Sequence, residues 1–240
     1  MKIKKILLSV KRSQFRCDDP SSDEADNEFI SVRKDILERD NYTCQFCNFR
    51  ATKFQDIHHI DDNHKNNSPE NLVTICCLCH ACHHLGLSGV MQKGFIIYLD
   101  PELNISQAEL NQAIRVLWIG EDGENRDVSL ASINMLSRIY KATVTARRKI
   151  GTSDPTILGD YLLNLDEETY NSREKPMQGL YFLPSKKGFE KQFEYWKTEV
   201  FKGLTSNTWA VIAEQRLKNW SFNETGFDSD LSLVEFIKNK

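Results

Sequence analysis

Asn41-Tyr-Thr-Cys44-Gln-Phe-Cys47 and Asn71-Leu-Val-Thr-Ile-Cys76-Cys77-Leu-Cys79-His80-Ala-Cys82-His83-His84 are the two runs around which this sequence is built. Six of the seven cysteines and all six histidines lie between Cys44 and His84, and only Cys17 stands outside. Thiolates and neutral imidazoles are the ligands a borderline-soft cation prefers, so this concentration points to a metal, and to zinc first. The pairs Cys44/Cys47 and Cys76/Cys79 each have the two-residue spacing that turns both sulfurs to one side, and two such pairs make a structural four-cysteine site. Cys79 with Cys82 is an alternative second pair. Otherwise Cys77 and Cys82 read as small buried apolar residues or reserve ligands. The histidines also have two readings, as ligands of an ion or as hydrogen-bond donors beside the cysteines.

The rest of the composition sets bounds. A chain of 240 residues, 40% hydrophobic and 27% charged, is long enough to bury a sizeable core as one large domain or two smaller ones. The N-terminal apolar run from Ile6 to Val10 is broken by Lys11 and Arg12, too short for a signal peptide or a membrane span. A cytosolic protein is therefore expected, and in a reducing compartment clustered cysteines are metal ligands rather than disulfides. A net charge of −3 and a pI near 6.1 supply no bulk attraction for nucleic acid.

In chain order, residues 1–16 are basic and 17–28 acidic, and the sequence predicts a strand over Lys-Ile-Leu-Leu-Ser-Val followed by a solvated acidic loop. Phe29, Val32, Ile36 and Leu37 recur at helical spacing over 28–40. Residues 54–60 alternate as a strand, 61–71 read as a polar loop, and 95–99 form another strand stopped by Pro101. Ser106 and Glu109 have capping-box spacing before the stripe Leu110, Ala113, Ile114, Leu117, Trp118. The stripe Leu130, Ile133, Leu136, Tyr140, Val144 defines the next helix, with Arg147, Arg148 and Lys149 favourably placed at its C-terminal end before Gly151. Asp154-Pro155 starts a helix to Leu163, Ser185 caps one carrying Phe189, Phe193, Trp196 and Val200, and Trp209, Ala213 and Leu217 mark a last one before a loosely held tail. These stripes are expected to face the core. The predicted organisation is an N-terminal strand and acidic loop (1–27), a zinc module (28–100), a helical region (101–220) and a tail (221–240).

The order Arg-Asp-x-Tyr-x-Cys-x-x-Cys, then His58-His59-Ile60, then Asn71-Leu-x-x-x-Cys-x-x-Cys-His80, resembles the HNH, or ββα-metal, nuclease motif in its zinc-stapled form. That resemblance implies Cys44, Cys47, Cys76 and Cys79 as structural zinc ligands, and the offset from Asn71 to Cys76 favours this set. It implies His59 as the base that takes a proton from water, His58 and His80 as ligands of a second divalent ion such as Mg²⁺, and Asn71 as the residue that fixes the loop orienting the base. His83 and His84 receive no role.

A larger part of the chain, roughly 28–200, resembles the IcmJ/DotN family of Dot/Icm (type IVB) secretion systems. The resemblance rests on Tyr-Thr-Cys-Gln-Phe-Cys, Cys-Cys-Leu-Cys-His-Ala-Cys, Gly-Thr-Ser-Asp-Pro and Leu-Pro-Ser-Lys-Lys-Gly-Phe-Glu. It implies an HNH-like zinc fold serving as a non-catalytic adaptor in the coupling complex, bound to the C-terminal segment of the ATPase DotL beside DotM and the chaperones IcmS and IcmW. The best-known members lack histidines at the positions of His58, His59 and His80, which this chain keeps. The expectation is thus an α+β, mainly α protein with a zinc-stapled ββα module, acting as an adaptor that helps recruit effectors, cytoplasmic and peripheral to the inner membrane, with nucleic acid not a partner. The alternative is a metal-dependent HNH endonuclease acting on DNA. Sparse nearby cations (Arg50, Lys53, Lys65) against Asp56, Asp61, Asp62 and Glu70 weigh against it.

Overall fold

The computed structural model describes residues 4–12, 22–63 and 65–203. Cys17, His64, the expected helix around Trp209 and the tail lie outside the described residues. The fold is α+β and mainly α. Helix α1 (Ser22–Arg39) leads into the cysteine turn. Strands β1 (Gln55–His59) and β2 (Leu72–Cys76) then pair antiparallel, with Gln55 opposite Cys76 and His59 opposite Leu72. Helix α2 (Cys77–His83) follows β2 directly, completing a ββα unit, and α3 (Leu85–Val90) follows it.

Ile36 and Leu37 of α1 pack with Ile57 and Leu72 of the hairpin in a small core of their own. This is the helical periodicity of 28–40 expressed as burial. The helix begins earlier than that periodicity suggests, since Ser22 to Asn27 belong to it and not to the acidic loop expected there. Acidic residues in a first turn favour the helix dipole, so the charge run extends the helix instead of stopping it.

The larger core belongs to α4 (Gln107–Glu121) and the elements around it. The Ser106/Glu109 capping box forms as predicted, and Leu110, Ala113, Ile114, Leu117 and Trp118 are all buried. Helix α5 (Arg126–Ile150) departs from expectation. Its buried side chains are Ser132, Ile139, Ala142, Thr143 and Ala146, whereas Leu130, Tyr140 and Val144 of the predicted stripe are exposed. Small residues let α5 approach its neighbours closely, so of the predicted stripe Leu136 packs half-buried on the core and Tyr140 only edges onto Phe95.

Gly151, in the left-handed region at φ 79°, ends α5. Ser153 C=O then accepts from Ile96 N–H of β3 (Gly94–Tyr98), and Asp154 Oδ1 caps α6 (Pro155–Leu163) by accepting from Thr156 N–H. The Gly-Thr-Ser-Asp-Pro segment is thus a compact corner joining a helix end, a strand edge and a helix start. After α7 (Glu167–Asn171), β4 (Leu180–Pro184) pairs antiparallel with β3, and α8 (Glu190–Tyr195) continues into a π turn at Trp196–Val200.

The N-terminal run, read as a strand, pairs with no strand among the described residues. Ile6, Leu8 and Val10 are buried in alternation, but the backbone bonds go from Lys4 N–H to Gln45 C=O, from Ser9 N–H to Cys82 C=O and from Leu85 N–H to Ser9 C=O. It laces the cysteine turn to the end of α2, where helical and loop backbone groups, not a sheet edge, supply its partners.

Candidate metal centre

Cys44 and Cys47 lie on a turn closed by Cys44 N–H to Phe49 C=O and Asn48 N–H to Cys44 C=O, both 2.9 Å, with Asn48 at φ 58°. Asn tolerates that left-handed conformation better than most residues. Cys76 ends β2, and Cys79 sits in α2. The four sulfurs lie within 4.8 Å of one another and all four residues are buried. Cys47 and Cys76 sulfurs stand 3.6 Å apart. A tetrahedron with metal–sulfur bonds of about 2.3 Å has edges of about 3.8 Å, so the cage fits a four-thiolate ion. Cys77 and Cys82 are buried outside this set, and the Cys82 thiol donates to Leu78 C=O at 3.3 Å. The six described cysteines are all free thiols. Hydrogen bonds from Cys44 and then Cys76 and Cys79 hold the Cys47 thiol well below the ordinary thiol range, whereas burial pushes the Cys44 and Cys79 thiols well above it.

Helix α4 closes the cage from the other side. Asn111 Nδ2 donates to Cys79 Sγ and Arg115 Nη2 to Cys76 Sγ, each at 3.4 Å, and Gln112 Nε2 donates to Cys47 C=O. Sequence reading did not reach these residues. Their signal was an Asn and an Arg one helical turn apart inside an otherwise apolar sector.

A second cluster adjoins the first. His58 of β1, His80 of α2 and His84 just beyond it bring ring nitrogens within 4.8 Å of one another. Asp56 and His58 share one face of β1, as residues two apart on a strand must. Asp56 Oδ2 stands 3.0 Å from His80 Nδ1, and His80 Nε2 stands 3.1 Å from His84 Nε2. A carboxylate on Nδ1 fixes the tautomer that turns an unprotonated Nε2 outward, which is how histidine is set to ligate. His84, given no role from the sequence, is the residue just past α2, and its non-helical backbone at φ −130° and ψ 54° leaves its ring beside that of His80. Burial, with the His83 and His80 rings nearby, pushes the His58 pKa down to about 2, and burial does the same for His83, to about 3, leaving both neutral. His83 stacks against His58 at 4.4 Å and meets Ser9 Oγ at 3.2 Å through Nδ1.

His59 lies apart from these three, stacked on Phe29, with Nε2 3.0 Å from Asn67 Oδ1. Asn71 holds the loop that carries Asn67. Its Oδ1 accepts from Asp61 N–H at 3.0 Å, and its Nδ2 donates to Asp61 Oδ1 and Asn66 C=O, each at 2.8 Å. A cavity of about 230 Å³ opens over His58, His59, His80 and His84, and Arg33 is the one arginine or lysine among the described residues lining it.

No protein-family model matches this chain. It is 37% identical over 187 residues to the Type 4 apparatus protein DotN of Legionella pneumophila subsp. pneumophila strain Philadelphia 1, an alignment covering 77% of this chain and 86% of that protein.

Proposed function

This chain belongs to the IcmJ/DotN family of Dot/Icm type IV secretion components, and from that membership we propose that it is a non-catalytic adaptor of the secretion coupling complex. In this reading it binds the C-terminal segment of the coupling ATPase DotL, in company with DotM, IcmS and IcmW, and helps recruit effectors from the cytoplasmic side. The reach of the likeness carries the proposal: 187 aligned residues are far more than the 28–100 module holds, so the relationship extends into the helical region. Apolar side chains of α3 and of that helical region are placed to meet a partner. Val90 (71% exposed) of α3, Leu130 and Val144 of α5, and Ile157 and Tyr161 (62%) of α6 turn apolar side chains to solvent. Large exposed apolar surface marks interaction sites. No helix among the described residues is long and apolar enough to cross a membrane, and attachment through partners suits that. The four cysteines act here as a structural zinc site that ties the cysteine turn to the end of β2 and to α2. The test is co-expression of the full chain with the coupling ATPase. A stable complex that copurifies, with no ATPase activity from the adaptor alone, is expected; a zinc-loaded protein that leaves the ATPase unbound refutes the reading.

One observation favours a second reading, as a metal-dependent HNH endonuclease. The His58, His80 and His84 nitrogens converge beside Asp56, with His59 at the same cavity and bonded to Asn67 of the Asn71-clamped loop. A divalent ion there would neutralise charge on a phosphodiester, and neutral His59, steadied by Asn67, would accept the proton of a water. A single lining arginine gives a phosphate chain little to hold, which ranks this reading second. Plasmid nicking with Mg²⁺, Mn²⁺ or Ni²⁺ decides it. Nicking lost in His59→Ala with zinc content intact establishes the nuclease; absent or equal nicking removes it.

A further inference from the structure

Arg115 is a buried charge without a carboxylate. It is 3% exposed, and among the described residues no Asp or Glu stands within ion-pair distance of it. Its guanidinium lies over the ring of Phe49, at 3.7 Å, and beside that of Trp196, at 4.9 Å, the two rings meeting edge to face, and Nη2 donates to Cys76 Sγ at 3.4 Å. Aromatic faces attract a cation but carry no net charge, and a guanidinium removed from water needs a counter-charge. Among the described residues, the only anionic candidates against it are the sulfurs.

A second donor points the same way. Phe182 N–H donates to Gln107 Oε1 at 2.8 Å, which leaves Gln107 Nε2 to donate to Asn111 Oδ1 at 3.0 Å. Asn111 must therefore turn its Nδ2 toward Cys79 Sγ, at 3.4 Å, and Cys82 Sγ, at 3.8 Å. This polar relay starts at a strand and ends as a donor aimed at sulfur. Neutral thiols are weak acceptors and a disulfide carries no charge, so both donors suit thiolates. Four thiolates around a divalent ion leave two negative charges, and Arg115 cancels one of them.

We propose that Arg115 is the internal counter-cation of a tetrathiolate metal centre at Cys44, Cys47, Cys76 and Cys79, and that its charge, with the Asn111 amide, sets how long the site keeps its ion. This rests on the zinc reading of the four cysteines. Arg115 touches no ion itself. It is a positioning residue that acts through Cys76, and the competing role is plain packing against Phe49 and Trp196.

Charge and packing are separated by the rate at which zinc passes from the full-length protein to the chromogenic chelator 4-(2-pyridylazo)resorcinol at fixed pH. Arg115→Lys keeps the charge and loses the flat stack, Arg115→Gln keeps a donor without charge, and Arg115→Met keeps only bulk. Release about 10–100-fold faster than wild type is expected for Gln and Met, with Lys much nearer to wild type. Co²⁺-substituted samples should retain sulfur-to-cobalt charge-transfer bands and tetrahedral d–d bands throughout, showing that four thiolates still hold the ion. Wild-type rates in Gln and Met, or a Lys variant as fast as Gln, overturn the proposal. If the neutral variants do not fold even in zinc-supplemented medium, Lys against wild type decides: a similar rate supports the charge role, and a rate ten-fold faster overturns it. Wild-type protein that contains no zinc would defeat the zinc reading itself, whereas zinc-loaded protein with charge-blind release defeats only the role of Arg115.

Discussion

Arg39 and Asp40 stand just ahead of the cysteines and do a different job from them. The Arg39 guanidinium forks onto Asp40 at 2.9 and 3.0 Å and also donates to Pro69 C=O and Leu72 C=O, while Asp40 Oδ2 accepts from Thr74 N–H at 2.8 Å. Together they rivet the end of α1 to β2, which sets the distance between the two cysteine pairs. Burial alone would raise the Asp40 carboxyl, but the hydrogen bonds from Arg39 and Thr74 outweigh it and hold its pKa below the ordinary aspartate value. Asp40→Asn should therefore cost about 1–3 kcal/mol at neutral pH, read from urea midpoints. The sign with pH follows from the lowered pKa. The contribution is complete above about 4 and fades as pH falls through the folded value, so wild type and variant should converge in acid. A gap that widens below pH 4 would contradict this. At the cysteines the effect is larger. A structural four-thiolate zinc supplies folding free energy of about 10 kcal/mol, so Cys44→Ser or Cys79→Ser should give insoluble or partly unfolded chain. Metal analysis of the wild type should find about one zinc per chain; less than half an equivalent would sink the reading.

Among the elements, the crossing of α3 on α6 shows what a sequence pattern leaves open. A Cβ on Gly159 would lie 2.7 Å from the backbone of Gly86, and one on Gly89 would lie 2.2 Å from Thr156 Oγ1. The two helices meet backbone to backbone, with Leu85, Leu158 and Leu162 beneath them in the core. Gly159→Ala has nowhere to put its methyl and must push the helices apart, a loss of about 1–3 kcal/mol. Gly86→Ala is the matched control. Its Cβ would have no heavy atom within 4 Å, so the change should be neutral or stabilise by up to about 1 kcal/mol through helix propensity. Thermal midpoints of the two variants should move in different directions, and an equal drop in both would show that the contact is looser than described.

Over the whole molecule, two kinds of surface divide the work. The histidine cavity sits on the ββα unit, whereas Val90 lies on α3, which packs on α2, and Ile157 and Tyr161 lie on α6, which packs on α3. If the adaptor reading holds, Val90→Glu combined with Tyr161→Glu should leave zinc content and thermal midpoint nearly unchanged, because both side chains already face water. The same pair should abolish copurification with the coupling ATPase. Retained binding would move the docking surface away from α3 and α6.

The paired C-x-x-C spacing, the capping box at Ser106, the Gly151 helix stop and the Asp154-Pro155 helix start were all readable from order alone, because each depends on residues a few positions apart. His58 and His80 were named from the motif, but the place of His84 beside them emerged only when β1 was laid against α2. Tertiary structure also decided which face of α5 is buried, since small residues win wherever helices must approach closely and periodicity cannot report that distance. The N-terminal run has a strand's alternation and no strand partner among the described residues, because its backbone bonds go to carbonyls of Gln45 and Cys82 and to the N–H of Leu85, all remote in sequence. Arg115 belongs with these. Only packing removes it from water against Phe49 and Trp196 and turns an unremarkable helical arginine into a charge that must be answered by sulfur.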